Sequence, residues 1–319
     1  MGARRGYTPA MRPESLDRKD RYPGGGVPAP DSGTFISNVG EAAEMVAFKH
    51  SVFALPFAVM SLITASGGEW PTTRVWFWVV IAMVAARTAA MGFNRLVDQR
   101  IDSENPRTAD RSLPAGRLSR RFAWVMTALS AALFVVAAGR LNTLCLRLAL
   151  PTLAVLLGYS FTKRFTSAAH LWLGFALGIA PIGAWIAVTG SLAGPPLILG
   201  AAVMFWVAGF DTIYSLQDES FDRSHGLRSL PSQLGARRAL VFARLFHLLA
   251  FVGFAFFAWA AGGGWVRAAA VAAAAALLAW QHRLVRADDL SRIDAAFFSA
   301  NGLLAVAMGV AFVIAKIVG

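Results

Sequence analysis

Cysteine is nearly missing from this chain: Cys145 is the only one in 319 residues. A disulfide framework, a Cys-based zinc site and a thiolate-held cluster are thereby excluded. Charge is scarce as well, at 15% of residues, and acids are the scarcer sign, with 18 Asp and Glu against 30 Lys and Arg. The five histidines show none of the paired spacing that holds a transition metal or a haem. Nor does any stretch alternate apolar and polar residues in the manner of a half-buried strand. What the chain has instead is apolar bulk, 56% of its residues, above the usual range of a soluble domain. A net charge of +12 on so apolar a chain crowds the cations into segments outside a bilayer, so a nucleic-acid partner is not expected.

Residues 1–34 mix Arg, Asp, Pro and Gly without an apolar period and read as a disordered tail lacking the apolar stretch of a signal peptide. Residues 35–319 then form one domain. Nine apolar stretches follow one another, near 45–65, 75–97, 121–139, 143–162, 168–189, 195–217, 239–260, 264–284 and 295–317, each long enough to cross about 30 Å of hydrocarbon. Pro56, Pro151 and Pro181 lie inside them, which a lipid-embedded bundle tolerates because neighbouring helices satisfy freed backbone groups. Lys and Arg gather in the tail and in the loops near 98–121, 163–167, 218–238 and 285–293, whereas the opposite side has only Arg74, Arg140, Arg147, Arg267 and Lys316. The positive-inside bias makes the tail and those loops cytoplasmic. The expected fold is an all-α membrane protein, a bundle of nine transmembrane helices in the cytoplasmic (inner) membrane with a cavity facing the cytoplasm.

The second stretch ends in Asn94, Asp98 and Asp102, spaced by four and therefore along one face of a continuing helix. The sixth ends in Asp211, Asp218 and Asp222, where seven residues make nearly two turns and predict a shared face again. One such cluster reads equally well as a solvated helix end neutralised by arginines. Two on the same side would repel one another without enough fixed cations, and hard Mg²⁺ bound by one or two carboxylates together with substrate phosphates answers that repulsion.

The patterns N-x-x-x-D-x-x-x-D at 94–102 and D-x-x-Y-x-x-x-D-x-x-x-D at 211–222, within nine expected helices, resemble the UbiA superfamily of intramembrane prenyltransferases. Asn105-Pro106-Arg107-Thr108-Ala109-Asp110-Arg111 is similar to the loop after that family's first motif, and Tyr159-Ser160-Phe161-Thr162-Lys163-Arg164 to its Tyr…Lys-Arg segment. The resemblance spans roughly residues 45–317. It implies transfer of a polyprenyl group from its diphosphate to an aromatic acid, with membrane lipid as the surrounding partner. By that resemblance Asp98, Asp102, Asp218 and Asp222, with Asn94, would hold Mg²⁺ against the diphosphate. Arg107, Arg111, Lys163 and Arg164 would clamp diphosphate oxygens, with Tyr159 as a further donor. Asp211 and Tyr214 would stand at the acceptor, as a carboxylate that orients a ring hydroxyl or takes its proton and as its neighbour one turn on.

Arg87, seven residues before Asn94 and deeper in the membrane, is a functional candidate by position: it either pairs with an acceptor carboxylate or clamps the bundle. Lys49 is a rival anchor. Where many 4-hydroxybenzoate prenyltransferases begin the first motif with Asn-Asp, this chain has Asn94-Arg95. With Ala86-Arg87-Thr88 and Phe210-Asp211-Thr212 this looks more like the menaquinone enzymes that use 1,4-dihydroxy-6-naphthoate, with 4-hydroxybenzoate prenylation for ubiquinone as the alternative. A secondary transporter is a reading of a different class, but its acids would lie near the bilayer midplane rather than at helix ends.

Overall fold

The computed structural model describes residues 40–41 and 53–318, so the expectations placed on the tail and on Lys49 fall outside the described residues. Eleven α-helices carry the fold: α1 (Leu55–Ala65), α2 (Thr73–Glu104), α3 (Arg120–Leu141), α4 (Thr143–Thr162), α5 (Ala169–Thr189), α6 (Gly194–Tyr214), α7 (Glu219–Ser224), α8 (Leu230–Leu234), α9 (Ala236–Ala260), α10 (Trp265–Leu284) and α11 (Asn301–Val318). A 3₁₀ turn (Ser215–Asp218) joins α6 to α7, and a π-helical turn (Ala295–Ala300) opens α11.

Short polar residues set the helix starts. Thr72, Ser119 and Asn142 each accept a backbone N–H of the first turn with a side-chain oxygen, and Asn142 is also the last-residue cap of α3, so α3 turns into α4 through one residue. Seven of the helical segments are long and apolar enough to cross a membrane. Nine were expected, and the two further candidates are α1 and α10. α1 is 11 residues long as described, the residues before it lying outside the described part. α10 has the length, at 20 residues, but its apolar content is mostly alanine and Arg267, His282 and Arg283 lie within it, and an alanine supplies far less apolar surface than a leucine.

α6 is the central helix. It packs on α5 on one side and α9 on the other, while α2 pairs with α3 and α4, α10 with α11, and α11 returns to α1. Gly174 and Gly178 of α5 lie directly against the backbone of Met204 and Gly200 of α6, where any side chain would collide. This is the close small-residue contact on which helices associate when lipid removes the hydrophobic driving force. Around α6 an aromatic core joins Phe57, Trp206, Phe254, Phe257 and Phe312, all fully buried. Phe53 and Phe210 belong to the same core, their rings 5.5 Å apart, and so pack the bundle rather than line a cavity.

The π-helical turn exposes backbone carbonyls that the interior must satisfy. Asn301 donates to Phe297 O at 2.8 Å and Gln281 to Ala296 O at 2.9 Å, while Asn301 Oδ1 accepts the Trp206 indole N–H at 3.0 Å. The outward faces carry large exposed apolar side chains, among them Leu129, Leu150, Leu248 and Phe256. Such a surface is stable against lipid and costly in water. This is an integral membrane protein.

Candidate active site

α2 runs straight through Asp98 and Asp102 to Glu104, so the first acidic stripe lies on one face as its spacing predicts, and Asn94 Nδ2 donates to Asp98 Oδ2 at 2.8 Å. The second stripe is different. α6 stops at Tyr214 and the tighter turn at 215–218 intervenes, which rotates Asp218 roughly 60° from Asp211 instead of the about 20° of an unbroken α-helix. The expected single face for Asp211, Asp218 and Asp222 is therefore corrected: Asp211 points to α5, and the other two point to the loops that follow α2 and α4.

The loop after α2 is folded by its own polar residues. Asn105 Oδ1 accepts the Arg107 N–H at 3.0 Å, Thr108 Oγ1 donates to Asp102 O at 3.0 Å, and Gln99 donates to Leu113 O at 3.2 Å. Leu113 and Leu118 anchor its far side against Leu96 and Ala123. The loop so held aims two arginines back at the acids. Arg107 forms a two-pronged pair with Asp218 at 2.9 and 2.6 Å, supported by Asn105 Nδ2 at 3.1 Å. Burial opposes the charge on Arg107, but the Asp218 carboxylate more than offsets this and holds the guanidinium above its ordinary pKa. Arg111 binds both oxygens of Asp102 at 2.8 and 2.9 Å, and Arg95 reaches the same carboxylate at 3.4 Å.

The loop after α4 supplies the remaining cations. Arg164 pairs with Asp98 at 3.0 Å and Lys163 with Asp222 at 3.7 Å. The second contact is too long for a hydrogen bond, and Asp222 Oδ2 is a buried oxygen without one. Tyr159 lies in electrostatic reach of Asp98, Asp211, Asp222 and Arg95. His225 Nε2 approaches Glu104 at 3.5 Å and so links the ends of the two stripes. The Arg228 N–H donates to Lys163 O at 2.7 Å and seats the loop after α7 against the same segment.

Asp211 and Tyr214 are separated by their partners. His170 Nε2 accepts the Leu230 N–H at 3.2 Å, which leaves the proton on Nδ1 to be donated to Asp211 Oδ2 at 2.6 Å. Tyr214 stacks on Phe297 with centroids 4.1 Å apart and receives the Arg107 guanidinium over its ring at 5.4 Å. Arg87 is half-buried on α2, seven residues before Asn94 and hence about 10 Å deeper.

Two points of the sequence reading change here. The carboxylates do have enough fixed cations: Arg95, Arg107, Arg111, Lys163 and Arg164 stand against Asp98, Asp102, Asp218 and Asp222. Among the described residues no three acidic, His or Cys side chains are gathered as a ready metal cage. The donor chemistry still suits Mg²⁺, since every candidate is a hard oxygen and Asp222 has one left unsatisfied in the interior. Three residues were given no role at the acids by the sequence. Arg95 sits inside the first motif and was legible there as its seven-residue partner Asp102, whereas Asn105, 113 residues from Asp218, and His170, 41 residues from Asp211, had no local signal.

The helical bundle, with acids from two helix ends meeting cations from α2 and two loops at one end, defines an integral membrane protein with a charged cluster at that end. Residues 54–303 match the UbiA prenyltransferase family, and the chain belongs to it. It is 29% identical to the 4-hydroxybenzoate octaprenyltransferase of Shewanella woodyi over 259 residues, 80% of this chain and 90% of that one. It is 32% identical to the protein of the same name from Methylobacillus flagellatus, over 73% and 79% of the two chains. Among solved structures, a UbiA homolog from Aeropyrum pernix superimposes with a TM-score of 0.76 at 34% identity, covering 83% of this chain and 98% of that one. A UbiA homolog from Archaeoglobus fulgidus bound to GPP and Mg²⁺ shares the fold, with a TM-score of 0.70 at 15% identity over 87% of this chain and all of that one.

Proposed function

We propose that this enzyme transfers a polyprenyl group from an allylic polyprenyl diphosphate to 4-hydroxybenzoate, as in ubiquinone synthesis. The observation that carries the reading is the interleaving of Asp98, Asp102, Asp218 and Asp222 with Arg95, Arg107, Arg111, Lys163 and Arg164 at one end of the bundle. In the charged state with substrate, the four aspartates and Asn94 would hold Mg²⁺, and Arg107, Arg111, Lys163 and Arg164 would turn from carboxylates to diphosphate oxygens. Bound there, Mg²⁺ neutralises the charge that grows on the leaving diphosphate. Tyr159 adds a hydroxyl donor from beside the acids.

Asp211 is held in place by His170 through Oδ2, and no protein donor is paired with its Oδ1 among the described residues. That oxygen would receive the acceptor hydroxyl or its proton, with Tyr214 fixing the ring's approach. Arg87, deeper on α2, would meet the acceptor carboxylate. α1 and α10 supply the two remaining membrane spans, and the cation-rich end faces the cytoplasm.

The naphthoate expectation rested in part on Arg95. That side chain turns inward to Asp102 and Asn94 and is 14% exposed, so its chemistry belongs to the acidic cluster and not to the choice of acceptor. Relatives named for 4-hydroxybenzoate then favour the alternative. Membranes containing the protein, incubated with Mg²⁺, a polyprenyl diphosphate and either acid, should yield prenylated 4-hydroxybenzoate by mass. Product from 1,4-dihydroxy-6-naphthoate alone would restore the first reading, and product from neither would remove both.

A further inference from the structure

On the outer face of the bundle, the start of α9 and the end of α10 enclose a groove of ≈ 510 Å³ lined by Arg237, Arg244, His282, Arg283 and Arg286. It lies at the same end of the bundle as the acidic stripes but on the other side of α9, whose Ala239 and Ala243 face Ile213 and Leu216. The cations of the active site all have carboxylate partners. Of the four groove arginines none makes a side-chain hydrogen bond or ion pair among the described residues; the acids that follow Arg286 in the chain, Asp288 and Asp289, are both exposed, and Asp289 interacts electrostatically with Arg286. His282 is held by His247 through Nε2 at 2.9 Å, leaving its other ring nitrogen without a hydrogen-bond partner among the described residues. Four guanidinium groups converging without carboxylates repel one another unless an anion joins them.

The groove does not end at the arginines. Arg237, Val241, Arg244, Leu248, Phe251, Ala255 and Trp259 recur at steps of three or four and share one face of α9. The far part of that face opens into a second groove of ≈ 340 Å³ lined by Phe251, Val252, Ala255, Phe256 and Trp259, with no charged side chain. From Arg244 to Ala255 is about 16 Å along the helix, about half of the roughly 30 Å hydrocarbon thickness. A ligand that fits both parts has an anionic head at the boundary and an apolar tail one leaflet deep.

We propose that this face of α9 and α10 is a binding site for an anionic phospholipid, its phosphodiester among Arg237, Arg244, Arg283 and Arg286 and an acyl chain along Leu248 to Trp259. A free phosphate would use the first groove and leave the second without a role.

The purified full chain in a neutral detergent, titrated with phosphatidylglycerol or phosphatidylcholine and weighed as an intact complex, should retain phosphatidylglycerol about tenfold better. Arg244→Gln with Arg286→Gln should abolish that preference and Arg244→Lys should keep most of it. Equal retention of the two lipids, an unchanged double variant, or displacement of phosphatidylglycerol by equimolar inorganic phosphate would overturn the proposal. A measurement on the unaltered protein guards against a misfolded variant: phosphatidylglycerol with a photoreactive acyl chain should label residues 248–259, and labels spread evenly over all lipid-facing helices would count against a site.

Discussion

Asp218 is the carboxylate on which the second acidic stripe turns, because Arg107 and Asn105 both reach it from a segment more than a hundred residues earlier. Asp218→Ala leaves Arg107 without its partner and should abolish prenyl transfer while the protein still inserts and remains monodisperse in detergent. Normal turnover in that variant would exclude a role at the diphosphate. His170 touches no expected substrate atom and acts through Asp211, so it is a positioning residue. His170→Gln should lower kcat about a hundredfold with little change in the KM for polyprenyl diphosphate, and His170→Asn, whose amide can reproduce the Nδ1 donor, should recover part of the loss. An equal rise in both KM values would instead mark a structural histidine. Arg87→Ala should raise the KM for the aromatic acid far more than that for the diphosphate, as read from initial rates with each substrate varied in turn.

At the scale of the element, the chain's periodicity announced most of what formed. The spans near 143–162 and 264–284 agree with α4 and α10 almost to the residue, since Asn142 and the glycines before Trp265 are local stop and start signals. The break between α6 and α7 was not legible, because Ser215-Leu216-Gln217-Asp218 has no proline or glycine and could continue a helix by propensity. Its tightening comes from packing, with Ser215, Leu216 and Asp218 all buried. The contact of α5 with α6 depends on small residues, so Gly178→Leu should push the helices apart and lower the thermal stability of the detergent-solubilised protein. Asn301→Leu removes the acceptor of the Trp206 indole and a donor to Phe297 O, and should cost about 2–3 kcal/mol in the same assay. Retained stability in either variant would show that the interior repacks around it.

For the whole molecule, the acid cluster and the phospholipid groove lie on opposite sides of α9, so loss of the groove arginines should leave prenyl transfer in detergent unaffected while loss of the acids removes it. Chelation of divalent metal should stop turnover and Mg²⁺ should restore it, as followed by product mass. Reporter groups in residues 105–119 and 225–229 should be reached by an impermeant reagent from the same side of a sealed vesicle. Labelling from opposite sides would separate the two loops and dismantle the site.

The amino-acid sequence by itself determined that the protein is helical and membrane-embedded, where its acids lie along the chain, and which family it resembles, because hydropathy, helical period and motif spacing are local properties. Tertiary structure alone decided which loop cation meets which acid. Asn105, Arg107 and Asp218, or His170 and Asp211, become neighbours only when helices far apart in the chain pack together, and no local period encodes a contact across so long a separation. The same holds for the phospholipid groove, whose arginines come from α9, from the end of α10 and from the residues after it, and acquire a common purpose only where α9 and α10 meet.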